Sequence, residues 1–296
     1  MAEQSKIEWT DNTFNPWIGC TKVSPACKNC YAERDFDHRF KTAQWGPNGT
    51  RVKTSEANWN KPLLWNRKAR ADGVRVRVFC ASLADVFEDW RGPIVDSKGN
   101  ELVKTMDDLR RDLFELIDAT PNLDWMLLTK RPENIRRMWD GVATRHNVWL
   151  GTSVESSEYL FRIDALKAAG SLADVLFVSA EPIVGPMPTL GEYLDGIDLV
   201  IAGGESGPDA RPSNPNWFRS VRDQCETYGV PFNFKQWGEF GPAEMATPVQ
   251  INNAAFEVFE RGERVYRIGK HAAGRLLDGE EFNGVPTKWN PNRAVQ

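Results

Sequence analysis

Val148-Trp149-Leu150-Gly151-Thr152-Ser153-Val154-Glu155 is the stretch that decides the fold class. A short apolar run gives way to glycine and small polar residues. The segment after it, Ser157–Ala169, repeats apolar residues at the 3.6-residue period of a helix. The same order recurs along the chain. Val76–Cys80 leads into Ala81-Ser82-Leu83-Ala84-Asp85, and Trp125–Leu128 leads into Thr129-Lys130-Arg131-Pro132. Val175–Val178 is followed by Ser179-Ala180-Glu181-Pro182, and Leu199–Ala202 by Gly203-Gly204-Glu205-Ser206-Gly207. Phe232–Phe234 ends in Lys235-Gln236-Trp237-Gly238-Glu239. Helical patterns over Asp107–Ala119, Pro132–Trp139 and Pro215–Tyr228 fall between these runs. Continuous apolar strands alternating with helices predict parallel strands buried on both faces. Six or seven such units predict an α/β fold, a partial (β/α)6-type barrel.

The polar residues gather where the strands end, which in parallel α/β folds is where sites are built. A single Ser or Asp there is ordinarily a helix cap. Six strands in a row with polar ends read instead as an active-site mouth. Two segments break the rhythm: a Trp-, Asn- and Arg-containing insertion at 41–75, and everything after about residue 240. In the latter, Phe256–Glu260 and Arg264–Ile268 flank a glycine turn and predict a hairpin, with a short helix over Gly269–Arg275. The expected organisation is a barrel over 1–240, with a C-terminal hairpin and helix extension over 241–296 packed on it.

Hydrophobic residues make up 41% and charged residues 26% of the 296, as in ordinary globular chains. The net charge of −4 excludes a surface that is basic everywhere, though not a local basic patch. No run approaches the roughly 20 apolar residues of a membrane span, and the N-terminus lacks a secretory pattern. A reducing, cytoplasmic setting without a membrane partner is expected. Five cysteines are an odd number, and three of them fall within eleven residues, which suits a metal site better than a disulfide framework.

Those three are Cys20, Cys27 and Cys30, with Gly19, Ser24, Pro25 and Ala26 keeping bulk away from the thiols. Thiolates select zinc or iron–sulfur centres. Structural zinc requires a fourth ligand, from His38, Cys80, Cys225 or a carboxylate. Three local cysteines alone suit a [4Fe–4S] cluster with one iron left for another ligand. The loop follows a possible first strand, Lys6–Thr10, and precedes a helix from about Tyr31, which places it on the polar rim. Glycine-loop donors there suit a carboxylate, and Glu or Asp an ammonium or ribose hydroxyl. Lys130, Arg131, Lys235 and Gln236 are candidates for contacting a substrate or a ligand carboxylate. No Ser–His–Asp order, HExxH or phosphate-binding P-loop is present, which gives hydrolases and kinases little support.

Together these residues resemble the radical S-adenosylmethionine (SAM) superfamily, and more narrowly a phage and bacterial three-Cys-motif family. The likeness spans most of the chain. It rests on Asn15-Pro16-Trp17-x2-Cys20, Cys27-x2-Cys30-Tyr31, Leu128-Thr129-Lys130-Arg131-Pro132 and Gly151-Thr152-Ser153-Val154-Glu155, and continues through Ser179-Ala180-Glu181-Pro182, Gly203-Gly204-Glu205-Ser206-Gly207 and Lys235-Gln236-Trp237-Gly238. It implies a radical SAM-like partial barrel and SAM as co-substrate. It also implies reductive cleavage to methionine and a 5′-deoxyadenosyl radical, with electrons from an external donor. By position it assigns Cys20, Cys27 and Cys30 to the cluster and Ser82 and Asp85 to the SAM amino group. Thr152, Ser153 and Glu155 would lie by the ribose, Glu181 near the sulfonium or adenine, and Gly203, Gly204 and Glu205 beside SAM. Two features depart from the superfamily: six residues separate Cys20 from Cys27, and Asn29 replaces the usual aromatic before Cys30. Genes of the narrower family often neighbour a three-Cys-motif partner, so a protein partner is implied too.

Arg51–Arg77 holds eight Lys or Arg against two acidic residues, with Trp59 and Trp65 among them, and Arg261–Arg275 holds five basic against one acidic. Basic residues interleaved with aromatics suit a phosphate backbone and stacked bases. Ala81–Asp124, with eleven acidic residues against five basic, suits a protein partner or a solvated face. The leading expectation is modification or repair of nucleic acid. Modification of a peptide or partner protein is the alternative, and a zinc- or cluster-stapled binding module without turnover is the third.

Overall fold

The computed structural model describes residue 5, residues 7–141 and residues 143–292. Strands β1 (Asn12–Phe14), β2 (Trp17–Ile18), β3 (Arg51–Lys53), β4 (Val76–Cys80) and β5 (Ile94–Val95) come first. They are followed by β6 (Leu123–Thr129), β7 (Arg145–Ser153), β8 (Ala173–Ala180), β9 (Leu199–Gly203) and β10 (Phe232–Gln236). Seven of these pair in parallel in the order β1-β4-β6-β7-β8-β9-β10 and curl into a half-barrel. Chain order equals spatial order, so the sheet winds in one direction, as barrels do, with no reversal of strand order. Strands β2, β3 and β5 form a small separate sheet beside it.

Side chains alternate across each strand and sort into two layers. Val78, Trp125, Leu127, Leu150, Val178 and Val200 point to one face and join the large core. Helices α1 (Tyr31–Glu33), α2 (Glu56–Trp59), α3 (Lys61–Asp72), α4 (Met106–Asp118), α5 (Ile135–Met138), α6 (Phe161–Ala168) and α7 (Pro215–Thr227) follow in chain order. Leu109 and Leu113 of α4, Ile163 and Leu166 of α6, and Phe218 and Val221 of α7 bury their apolar stripes in that layer. The opposite, concave face carries Phe79, Met126, Trp149, Val175, Phe177, Leu199 and Ile201, packed with Trp9. Farther along the same face, at the strand ends, the residues are Lys130, Ser153, Ser179, Glu181 and Lys235. The concavity therefore has an apolar floor and a polar mouth.

After β10 the chain forms β11 (Phe240–Pro242), α8 (Pro248–Asn253), β12 (Phe256–Val258), β13 (Arg264–Arg267) and α9 (Lys270–Ala273). The hairpin expected after residue 255 is present, with Phe256 opposite Tyr266 in an antiparallel sheet completed by β11. The last residues return to the barrel. Phe234 donates its N–H to the Phe282 carbonyl at 2.9 Å, and Trp289 sets its ring edge-on 5.7 Å from Trp149.

Two expectations need correction. The first strand is β1, not Lys6–Thr10; Lys6 lies outside the described residues, and residues 7–9 form a bend and turn. Ile7 and Trp9 are apolar because they close the floor of the concavity, not because they join the ladder. The basic stretch 51–77 also makes no stacking platform, because Trp59 and Trp65 are buried in the large core. Arg51, Arg75 and Arg77 are spent on Glu88, Asp124 and Asp11. Arg67, Lys68 and Arg70 are the exposed side of α3.

Candidate functional site

The strand ends and the cysteine loop enclose a cleft of about 430 Å³. Gly19 opens the loop at φ +116°, where a Cβ would come within 2.6 Å of the Thr50 carbonyl oxygen. Pro25–Cys27 makes a single tight turn, with the Cys27 N–H donating to the Ser24 carbonyl at 2.9 Å. Cys30 then stands at the N-cap of α1. All three cysteines line the cleft and none is in a disulfide.

Two guanidiniums fix this loop. Arg131 donates to the Thr21 carbonyl at 2.7 Å and to Cys20 Sγ at 3.8 Å. Arg51 donates to Thr21 Oγ1 at 2.9 Å. Both cations are held from behind by carboxylates. Arg51 lies 2.7 Å from Glu88 with its guanidinium over Trp90, and Arg131 lies 2.8 Å from Asp85 and 3.5 Å from Glu88. Burial pushes the Cys20 thiol up to about 12, with Glu88 and Asp85 adding to it and Arg131 opposing. Burial raises Cys30 as well. Thiols in this setting keep their protons until a cation compensates a thiolate.

Metal fit follows from the donor set. Among the described residues no three His, Cys, Asp or Glu are grouped tightly enough to hold one metal ion. Cys80 and Cys225 are buried in the large core and His38 does not line the cleft, so of the fourth zinc ligands expected from the sequence only a carboxylate is at hand, and Asp85, Glu181 and Glu205 are each already paired with a cation. The three loop thiols line one cavity, and thiolates are the ligands that an iron–sulfur cluster takes.

Of the other residues picked from the sequence, Ser82, Asp85, Lys130, Arg131, Ser153, Glu181, Gly204, Glu205, Lys235 and Gln236 line the same cleft. Several are already committed. Asp85 receives Arg131, the Thr129 hydroxyl at 2.7 Å and the Lys130 N–H at 3.2 Å, so it organises the rim and has little capacity left for an ammonium. Glu205 is gripped by Arg211, with oxygen–nitrogen distances of 2.6 and 2.9 Å, and by Asn29 at 3.0 Å. Burial raises its carboxyl, but those hydrogen bonds outweigh it and hold Glu205 below the usual carboxylate range. Glu181 pairs with Lys235 across the mouth. Gly204 is glycine for steric reasons, since a Cβ there would collide with the Trp237 carbonyl.

Three residues do not line the cleft. Thr152 points away from it and donates to the Thr129 carbonyl at 3.1 Å. Glu155 is fully buried and pairs with Arg162 at 2.9 Å. Gly203 lies beneath Glu181, whose side chain occupies the space a Cβ would need. Strand parity accounts for the first: Ser153 faces in, so its neighbour Thr152 faces out.

Two polar atoms of residues lining the cleft have no partner among the described residues: Trp9 Nε1, a donor, and Gln236 Oε1, an acceptor. Each belongs to a residue only 4% exposed. Unpaired buried polar atoms are uncommon in folded proteins, and these two are closed off from solvent within residues of the cleft wall.

A family model described as a protein of unknown function, DUF5131, matches residues 4–286. The chain belongs to this family. No curated protein and no solved structure matches it.

For this DUF5131 chain, sequence reasoning missed Arg51 and Glu88, which anchor the cysteine loop, and Arg211, which occupies Glu205. It also missed Trp9 and Lys270, both of which line the cleft. Arg51–Glu88 spans 37 positions and Trp9–Gln236 far more, and no local pattern links such residues. Among the described residues no helix is long and apolar enough to cross a membrane.

Proposed function

We propose that the chain is a radical SAM enzyme that modifies or repairs nucleic acid, using a [4Fe–4S] cluster held by Cys20, Cys27 and Cys30. The observation that carries this reading is the sharing of one cleft. Three thiols from one short loop line the same cavity as Ser153, Ser179, Glu181, Lys235 and the Gly204–Glu205 turn, at the C-terminal mouth of a curled parallel sheet. A metal-stapled binding module has no need for a convergent polar set around its thiols. When bound, the cluster would supply the electron that breaks a carbon–sulfur bond of the SAM sulfonium.

The chain's own groups have the remaining work. Arg51 and Arg131 fix the loop so that the thiols keep their places. The apolar floor of Trp9, Phe79, Met126 and Phe177 keeps water from the deep end. Lys130 and the Glu181–Lys235 pair set the charge at the mouth.

Anaerobic reconstitution with iron and sulfide, followed by EPR of the reduced protein with and without SAM, tests the reading. The expected result is a [4Fe–4S]⁺ signal that SAM perturbs, that Cys27→Ala abolishes, and that accompanies 5′-deoxyadenosine formation. Stoichiometric zinc with no cluster would overturn it.

A further inference from the structure

The chain carries a net charge of −4, yet its cleft is lined by five basic residues, Lys22, Lys130, Arg131, Lys235 and Lys270, against three carboxylates, Asp85, Glu181 and Glu205. Every one of those carboxylates is matched: Asp85 by Arg131, Glu181 by Lys235, and Glu205 by Arg211 from outside the cleft. Lys22 is matched by Glu33 at 2.6 Å. Two lysines are left over. Lys130 has the Ser153 hydroxyl at 3.2 Å and, among the described residues, no carboxylate. Lys270 makes no ion pair among the described residues. Both are half-buried, and a partly desolvated ammonium without a counter-charge is unfavourable until an anion arrives. SAM's one carboxylate arrives with an ammonium and a sulfonium, so SAM and an oxidised cluster on three thiolates together leave the net positive charge of the cleft lining uncompensated.

We infer that Lys130 and Lys270 bind the phosphates of the substrate, and that this substrate is a single-stranded polynucleotide whose chain continues out of the cleft. The inference rests on the proposed nucleic-acid reading and names the residues that would implement it. Lysine is a point-charge phosphate binder, suited to a backbone that must slide or turn. Continuation beyond the cleft is argued from a second cavity of about 640 Å³ that abuts the first. The two share Thr21, Val23, Lys130 and Arg131, so Lys130 stands where they meet. Phe161, which is 59% exposed, lines the outer cavity beside half-buried Tyr159, whose ring carries the Arg162 guanidinium at 4.4 Å, and an exposed ring next to a cation suits a stacked base. A lone nucleotide would leave this cavity unused. Lys270 belongs to α9 of the C-terminal extension, which gives that extension a part in substrate binding.

Fluorescence anisotropy of a labelled single-stranded oligonucleotide, titrated with full-length, metal-free protein at several salt concentrations, tests the inference. Lys270→Glu is expected to weaken binding about tenfold. Lys270→Gln should lower the slope of log K against log salt by about 0.7, the release expected for one single-strand phosphate contact. Lys270→Arg should bind as wild type does, which shows that the fold survives substitution. Arg261→Glu reverses a charge on the same extension outside the cleft and should leave binding within about twofold. Equal losses for Arg261→Glu and Lys270→Glu would mean diffuse attraction and overturn the assignment. Indifference to Lys270→Glu would do the same, as would tighter binding of a polyglutamate peptide than of the oligonucleotide. Metal-free protein is used so that loss of the cluster reading would not by itself decide this one, nor the reverse.

Discussion

Arg51 and Arg131 hold Thr21, the residue next to Cys20, from its side chain and from its carbonyl. Glu88 serves both arginines and is almost fully buried, as is Arg51. Removing one member of such a buried pair leaves an uncompensated charge in a low-dielectric setting. Glu88→Gln is therefore expected to cost about 3 kcal/mol or more of stability. Urea unfolding would show it as a lower midpoint at unchanged slope, and an unmoved midpoint would mean that the network is not a structural anchor. Parity along β7 gives a second test. Thr152 faces the core, so Thr152→Val should cost about 1 kcal/mol through its lost hydrogen bond and leave ligand binding intact. Ser153 faces the cleft and holds Lys130, so Ser153→Ala should alter oligonucleotide or SAM binding with little change in stability. The opposite pattern in a paired stability and binding measurement would refute the orientation. Alternation counted from Trp149 is enough to separate these two neighbours in the sequence. The Arg51–Glu88 link is not legible in that way, because nothing local connects positions 37 apart.

Strands buried on both faces were the most legible elements, because continuous apolar runs leave few other arrangements. Val76–Cys80 was bounded to the residue, and the runs at 125, 148, 175, 199 and 232 all lie inside observed strands. The first strand, Asn12-Thr13-Phe14, carries little apolar signal, whereas Ile7 and Trp9 carry it for a different task. The segment 269–275 read as a short helix, and its core is α9. That it reaches the cleft was not readable, since the contact depends on how the extension folds back. One tie in that folding is Asp278. It accepts from Arg219 at 2.8 Å and from Arg222 at 2.6 Å, which joins the extension to α7. The Arg219 hydrogen bond, aided by Arg222, holds its carboxyl below the usual carboxylate range. A carboxylate depressed by folding adds stability above its unfolded-state pKa and loses it as pH falls through the folded value. The contribution is thus complete at neutral pH and drains away below about pH 4. Asp278→Asn should be less stable than wild type at neutral pH, with the gap closing on acidification. Urea midpoints for both proteins at about pH 7 and pH 3 check this, and a gap that stays constant would discard the ion pairs as its source.

At the scale of the whole molecule, the curled sheet leaves its concave face to be closed at one end by something other than helices. The extension supplies part of that closure. Trp289 meets Trp149 of the floor, donates to Asp124 at 2.8 Å and lies under Arg77, whose guanidinium is 5.1 Å from its ring. Phe282 stacks edge-on against Phe232, and the Gly284 N–H donates to the Phe232 carbonyl at 2.9 Å. Trp149 and Trp289 are 140 positions apart, and no local pattern in the sequence links them. These contacts make the floor depend on the extension, so the two should not unfold separately. Thermal unfolding is expected to show one transition, with calorimetric and van't Hoff enthalpies equal. Trp289→Ala removes a half-buried ring and one hydrogen bond. It should lower stability by about 2 kcal/mol, less than a fully buried tryptophan would cost, while the transition stays single. Two transitions in the wild-type protein would mean that 241–296 folds on its own. Lys270 would then ride on a body free to leave the cleft, and oligonucleotide binding would fall as the first transition completed. With one transition, binding and fold should be lost together at the same temperature.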